Sequence, residues 1–132
     1  MNKVILFFAL SLLMCVSAHA KCDDGYTVLG MNDNHAYCVS KAKMEWAFAL
    51  DWCVHLQERQ PATLEQACDG HNVVGDGACA NLMVPKDHML YGQSVLATNS
   101  YGSAEYRVVL GSGNIYNLNL LFEDRLFYAL CY

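Results

Sequence analysis

A glycine-rich loop carries the side chains of this sequence that are best suited to metal chemistry. Cys68, Asp69 and His71 lie close together, and Cys79 closes the far end of the loop. Thiolate and imidazole are ligands that zinc prefers, so these residues could form half of a zinc site. No clear fourth ligand follows, and the paired ligand motifs typical of zinc sites are absent. A Cys68–Cys79 disulfide is the alternative, and we predict no metal site.

Other candidates for chemistry are equally incomplete. Asp69, Asn72 and Asp76 carry oxygen ligands, but calcium takes about six to eight oxygens and the EF-hand spacing is missing. Histidines could act as general bases beside a nucleophile, yet their spacing places none of them together with one. The sequence contains no nucleophile elbow, H-E-x-x-H, P-loop or dinucleotide-binding motif. We therefore expect neither an enzyme nor a cofactor.

The C-terminal third is more informative, because it is rich in aromatic residues. From Tyr116 to Leu120, apolar side chains alternate with two asparagines, which predicts a strand with one polar face. The following residues, 121–127, mix charged with large apolar side chains, a pattern typical of an exposed partner site. Aromatic and arginine side chains are the usual anchors of such sites. The candidate ligand-binding residues are Tyr101, Asn117, Asn119, Leu121, Glu123, Asp124, Arg125 and Phe127.

We predict different roles in ligand binding for these candidates. The two asparagines would hydrogen-bond a ligand, Leu121 and Phe127 would supply apolar contact, and the charged residues 123–125 would set polarity and orientation. The same aromatic residues could instead pack a sheet, since aromatic side chains favour strands.

The N-terminus has the pattern of a secretory signal peptide over residues 1–20. Lys3 precedes an apolar run, and Ala18-His19-Ala20 fits the small-residue cleavage rule. The run is shorter than the roughly 18 apolar residues that span a bilayer. We expect a single mature domain over residues 21–132, without a transmembrane segment, located in the periplasm, at the cell surface or in the medium.

Charge and cysteine content agree with export. The chain has a net charge of −5, and loss of Lys3 makes it one unit more negative, which argues against nucleic acid and anionic membranes as partners. An even number of cysteines remains after cleavage, which predicts three disulfides in an oxidising compartment. Their spacing does not choose among the connectivities. The six residues are Cys22, Cys38, Cys53, Cys68, Cys79 and Cys131.

Local sequence patterns predict the helices and strands that would position these residues. Residues 26–29 and 35–39 predict a hairpin around the turn residues 31–34. Residues 41–57 predict a helix capped by Ser40, with an apolar stripe that includes Trp46 and leaves Trp52 outside it. Thr63-Leu64-Glu65-Gln66 is a capping box that begins a second helix. Strands are predicted over residues 94–98, 105–110, 114–122 and 126–131.

Several segments of the chain resemble the C-type-lectin-like fold. Cys22 to Tyr26 with Tyr37-Cys38 resembles the N-terminal hairpin of its long form, and Tyr128 to Cys131 resembles its last strand. The C-terminal half is similar to a bacterial branch of exported proteins, some of them diversified by retroelements near the C-terminus. The further segments that carry the resemblance are residues 43–53, 61–65, 101–104 and 111–116.

The resemblance implies an α+β domain with two helices, a small twisted antiparallel sheet and an N-terminal hairpin. It also implies the pairings Cys22–Cys38, Cys53–Cys131 and Cys68–Cys79. The calcium-ligand motifs Glu-Pro-Asn, Gln-Pro-Asp and Trp-Asn-Asp of animal lectins are missing, so calcium-dependent sugar binding is not expected.

The resulting hypothesis is an exported ligand-binding or adhesion module for a protein or a glycan. A structural subunit of an envelope or pilus assembly is the first alternative. A thiol- or metal-dependent enzyme of related fold is the second, and the sequence leaves the oligomeric state open.

Overall fold

The computed structural model describes residues 22–118 and 126–132, so the predicted signal peptide lies outside the described part. The chain is an α+β protein whose described part contains six strands and two short α-helices. The strands are β1 (Gly25–Leu29), β2 (Ala36–Met44), β3 (Ser94–Thr98), β4 (Ala104–Val109), β5 (Ile115–Asn117) and β6 (Phe127–Cys131). The helices are α1 (Trp46–Asp51), which continues into a π-helical turn (Trp52–Leu56), and α2 (Leu64–Ala67), followed later by a 3-10 turn (Ala80–Leu82).

All six strands belong to one sheet in the order β1-β2-β6-β3-β4-β5. Most neighbours are antiparallel, but β3 and β6 run parallel, with Val95 opposite Tyr128. The expectation of a small antiparallel sheet is therefore wrong, because the C-terminal strand inserts between β2 and β3 and joins two antiparallel units. Such long-range pairing leaves no local signal in the sequence.

The predicted N-terminal hairpin is confirmed. β1 and β2 pair without a register shift from Gly25 opposite Ser40 to Leu29 opposite Ala36. At the turn, the Gly30 amide donates to the His35 carbonyl at 2.9 Å.

β2 pairs with β6 on both sides of an irregularity between Val39 and Lys43, from Cys38 opposite Cys131 to Met44 opposite Phe127. Ser40 lies at this irregularity and is fully buried. Its Oγ accepts a hydrogen bond from the Ala129 amide of β6 at 2.8 Å and donates one to the Ala42 carbonyl at 2.8 Å. One hydroxyl thus satisfies two backbone groups that the interrupted ladder leaves without strand partners.

Helix α1 begins later than predicted. Lys43 and Met44 pair with Tyr128 and Phe127 of β6, so they belong to β2, and Glu45 takes the N-cap position instead of Ser40. Pairing in the sheet thus overrides the helical periodicity of residues 41–44.

The two tryptophans have the opposite environments to those predicted. Trp52 is 7% exposed and packs with Ala49 and Cys53, whereas Trp46 is 45% exposed. The buried residues Ala49, Trp52 and Cys53 follow the spacing i, i+3 and i+4, so Trp52 belongs to the buried face and Trp46, the first residue of α1, lies outside it. The π-helical turn begins only at Trp52, whose carbonyl accepts from the Gln57 amide five residues later at 3.1 Å.

The second predicted helix is confirmed together with its capping box. The Thr63 hydroxyl accepts from the Gln66 amide at 3.1 Å, and Gln66 Oε1 accepts from the Thr63 amide at 3.0 Å. This reciprocal pair satisfies two amides at the start of α2.

Three disulfides join the elements: Cys22–Cys38, Cys53–Cys131 and Cys68–Cys79. These are the pairings that the resemblance implied. Cys53–Cys131 spans 78 residues and ties the helix to the last strand, which removes the most chain entropy from the unfolded state. Because both sulfurs of the Cys68–Cys79 pair are oxidised, they do not offer thiolates to zinc.

The core has two parts, one on each face of the sheet. The larger part includes Val39, Val95, Val108 and Leu130 together with α2. The smaller part lies under α1 and includes Trp52, Leu96, Phe127 and Ala129. Successive residues of β3 and β6 therefore face different parts of the core, as strand geometry requires.

A hydrogen-bonded network anchors the hairpin turn to the larger core. The Tyr37 hydroxyl donates to Asp33 Oδ2 at 2.6 Å, and the His35 amide donates to Asp33 Oδ1 at 3.0 Å. Burial alone would raise the pKa of Asp33, but these hydrogen bonds outweigh it and lower that pKa below its usual value. Burial and the neighbouring carboxylate raise the pKa of Tyr37.

This network predicts an acid-dependent loss of stability. Because the folded-state pKa of Asp33 is depressed, its contribution is present above the unfolded-state pKa of about 4 and is lost as the pH falls through the folded value. Asp33→Asn should flatten the fall in the free energy of unfolding below about pH 4 in urea titrations. Asp87→Asn, which changes an exposed aspartate outside the network, is the control and should follow the wild-type curve. Identical curves for Asp33→Asn and wild type would contradict this prediction.

Ser40→Ala is expected to lower the free energy of unfolding by about 1–3 kcal/mol, because two buried backbone groups lose their partner. Urea denaturation with the disulfides intact measures this loss. Ser103→Ala changes an exposed serine and should be neutral. Equal stability of the two variants would show that the hydroxyl is not needed at the β2 irregularity.

Candidate ligand-binding site

The turn between β3 and β4, residues 99–103, is held by one asparagine, and we call it the Asn99 loop. Asn99 Oδ1 accepts hydrogen bonds from the amides of Tyr101 and Ser103, both at 3.0 Å. Its backbone closes the turn through bonds to Ser103 at 2.8 Å and Gly102 at 3.0 Å. Gly102 has a φ of 86°, which glycine adopts without steric cost. The loop is therefore ordered by its own hydrogen bonds.

Tyr101 stands at the tip of this loop and is 94% exposed. A large aromatic side chain so far outside the core contributes little to packing. Because it has only two rotatable side-chain bonds, it loses little entropy when a partner immobilises it. Of the predicted ligand-binding residues that the structure describes, Tyr101 and Asn117 are exposed.

A small depression of about 100 Å³ lies beside the Asn99 loop. Its lining residues carry one carboxylate, two side-chain amides, two aliphatic hydroxyls, one phenol ring and one apolar side chain. The Tyr106 hydroxyl at its edge donates to the Asn72 carbonyl at 3.4 Å. The lining residues are Leu64, Glu65, Asn72, Thr98, Asn99, Ser100 and Tyr106. These groups can donate hydrogen bonds to a polar ligand and accept them from it.

Asn117 lies at the same end of the sheet as Tyr101. It is exposed on β5 opposite Tyr106, and Tyr106 is in turn opposite Ala97, one residue before the end of β3. The structure therefore brings Asn117, the depression and the Asn99 loop to one corner of the molecule.

Phe127 is placed differently from these residues. It is 7% exposed, packs in the core under α1 and begins β6 near the Ser94 end of β3. Since little of its side chain reaches solvent, Phe127 has little surface to offer a ligand. Five further predicted residues lie outside the described part of the chain, namely Asn119, Leu121, Glu123, Asp124 and Arg125.

On the other face of β4 and β5, Arg107 lies over the ring of Tyr116 at 4.3 Å and reaches Ser94 Oγ at 3.4 Å. The Tyr116 hydroxyl accepts a hydrogen bond from Asn114 Nδ2 at 3.2 Å. We did not predict Arg107 or Asn99 from the sequence. The Asn-Ser-Tyr-Gly-Ser composition is a signal for a turn that could have identified Asn99, whereas the Arg107–Tyr116 contact depends on strand register.

The described part of the chain contains neither a cluster of metal ligands nor a membrane-spanning helix. No three His, Cys, Asp or Glu side chains within residues 22–118 and 126–132 are arranged to hold a metal ion. Over the same residues, every helix is too short or too polar to cross a membrane.

The chain was also compared with known proteins. No family model, no curated protein and no solved structure matches it.

The hydrogen bonds of the Asn99 loop predict a measurable stiffness. Asn99→Ala removes the acceptor shared by two amides, so hydrogen exchange at Tyr101 and Ser103 should accelerate by about tenfold, the equivalent of one typical hydrogen bond. Asn99→Asp retains the oxygen and should restore slow exchange. Ser100→Ala is the matched control in the same loop. Unchanged exchange in Asn99→Ala would mean that the backbone alone orders the turn.

Proposed function

We propose that this protein is an exported ligand-binding or adhesion module that recognises a protein or a glycan without calcium. The binding surface is the corner formed by Tyr101, the depression beside it and Asn117 at the end of β5. The observation that carries this proposal is the 94% exposure of Tyr101 on a loop fixed by Asn99.

The hydrogen bonds of the Asn99 loop preorganise it for binding. A partner that buries an aromatic ring on a mobile loop must first order that loop, which reduces the net binding free energy. Because Asn99 already holds the turn, the burial of Tyr101 contributes with a smaller entropic cost. Tyrosine is one of the side chains on which binding energy at interfaces concentrates.

The depression provides the polar part of the surface. Glu65 and the amides of Asn72 and Asn99 offer both donors and acceptors within a shallow site beside the loop. Such a set fits the hydroxyl groups of a glycan or the backbone and polar side chains of a protein ligand.

The disulfide bonds and the N-terminal sequence pattern both support export. Three disulfides are typical of proteins that fold in an oxidising compartment. The signal-peptide pattern over residues 1–20 points to the same compartment. The C-type-lectin-like resemblance adds a precedent for a disulfide-bonded binding domain of this size.

The test begins with the exported protein on a glycan array and on an array of extracellular proteins, each with and without EDTA. Tyr101→Ala and Asn117→Ala should each weaken the observed binding, and Tyr101→Ala by about tenfold or more, the loss expected at an interface anchor. EDTA should leave binding unchanged. Phe48→Ala, which removes an exposed aromatic ring of α1, is the matched control.

Normal binding by Tyr101→Ala would place the site elsewhere. A folded protein that binds nothing on either array would count against a binding module as such. Phe127 is unsuitable for this test, because its truncation would create a cavity in the core.

A further inference from the structure

The outer edge of β1 is a second candidate interaction surface, distinct from the binding corner. β1 is the terminal strand of the sheet, and its described backbone partners all lie on the β2 side. Because the Gly30 amide bonds to His35 across the hairpin, alternate residues of β1 point their amides and carbonyls toward β2. The intervening residues Gly25, Thr27 and Leu29 therefore direct theirs outward.

This edge lacks the features that normally prevent strands from associating. β1 has the sequence Gly-Tyr-Thr-Val-Leu, with no charged residue and no proline, and it pairs with β2 without a bulge. Natural sheets protect long edges with lysine, proline or bulges. An edge without any of them is available for another strand.

An apolar groove of about 560 Å³ runs beside the same edge. Thr27 and Leu29 line it from β1, and Leu29 is 60% exposed. The opposite side of the groove is formed by Met83, Val84 and Pro85. Methionine side chains adapt to the shape of a partner, so the groove gives space and apolar contact to an added strand.

We propose that a second copy of this chain occupies this edge, through antiparallel pairing of β1 with β1 about a two-fold axis at Thr27. The axis pairs Thr27 with itself and Gly25 with Leu29, so all three outward-facing residues find partners, with about six backbone hydrogen bonds in all. A two-fold contact needs a self-complementary surface, and β1 provides one.

The charges at the ends of β1 fit this register. In this register Asp23 and Asp24 of one copy lie beyond the Leu29 end of the other copy's β1, so the acidic pairs of the two copies are at opposite ends of the interface. Asp24 is in addition paired with Lys41 at 3.6 Å within its own chain. The same pairing brings Tyr26 of the second copy opposite Val28, a residue that lines the groove.

Dimerisation at β1 would leave the proposed binding corner free. β1 and β5 are the two opposite edges of the sheet, and Asn117 lies on β5. The dimer itself does not depend on the proposed function. If both proposals hold, the assembly presents two binding corners, and its avidity exceeds the affinity of either one.

The experiment is sedimentation equilibrium of the exported protein across a wide concentration range. Wild type should show a monomer–dimer equilibrium. Thr27→Pro removes an outward-facing amide without touching the bonds to β2 and should weaken dimerisation at least tenfold, whereas Thr27→Val keeps the amide and should dimerise like wild type.

A charge-exchange experiment separates pairing from a general loss of structure. Thr27→Lys and Thr27→Glu proteins should each be monomeric, because like charges meet at the axis, and a mixture of the two should form a heterodimer. A monomeric wild type would overturn the proposal. So would a dimer that survives both Thr27→Pro and Thr27→Lys, or saturable binding of a foreign extended peptide at β1 by a wild-type monomer.

Discussion

The position of β6 at the centre of the sheet is the constraint on which the rest of the structure depends. Without this strand, the β1–β2 hairpin and the β3-β4-β5 unit share no backbone ladder. The strand is held on one side by the Ser40 hydroxyl and at its end by the Cys53–Cys131 disulfide. Both parts of the core contain residues of β6, so its docking completes the two hydrophobic clusters together.

The sequence predicted the elements that are specified locally. The β1–β2 hairpin, the capping box at Thr63 and the bounds of β3 follow from turn residues, capping residues and alternation. The prediction was wrong where pairing with a strand far along the chain determines the secondary structure. Residues 41–44 have a helical pattern but belong to β2, because β6 offers them a strand partner. The parallel pairing of β3 with β6 is likewise set by insertion of a strand from far along the chain.

The candidate site was predicted in part for the same reason. Composition identified Tyr101 and Asn117 as candidates, and topology brings both to one corner. Composition could not distinguish an exposed aromatic ring from a buried one, so Phe127 was included although β6 carries it into the core. Asn99 acts through hydrogen bonds to amides two and four residues later, which a turn signature indicates but does not demonstrate.

The Asn99 loop has a consequence for how recognition could change during evolution. The conformation of the loop depends on the Asn99 side chain, on backbone hydrogen bonds and on Gly102. The side chains of Ser100 and Tyr101, in contrast, are exposed. Exposed positions of this kind usually accept substitution with changes in stability of at most about half a kcal/mol. New side chains can therefore be tried at positions 100 and 101 without risk to folding, so that specificity and stability are free to diverge independently.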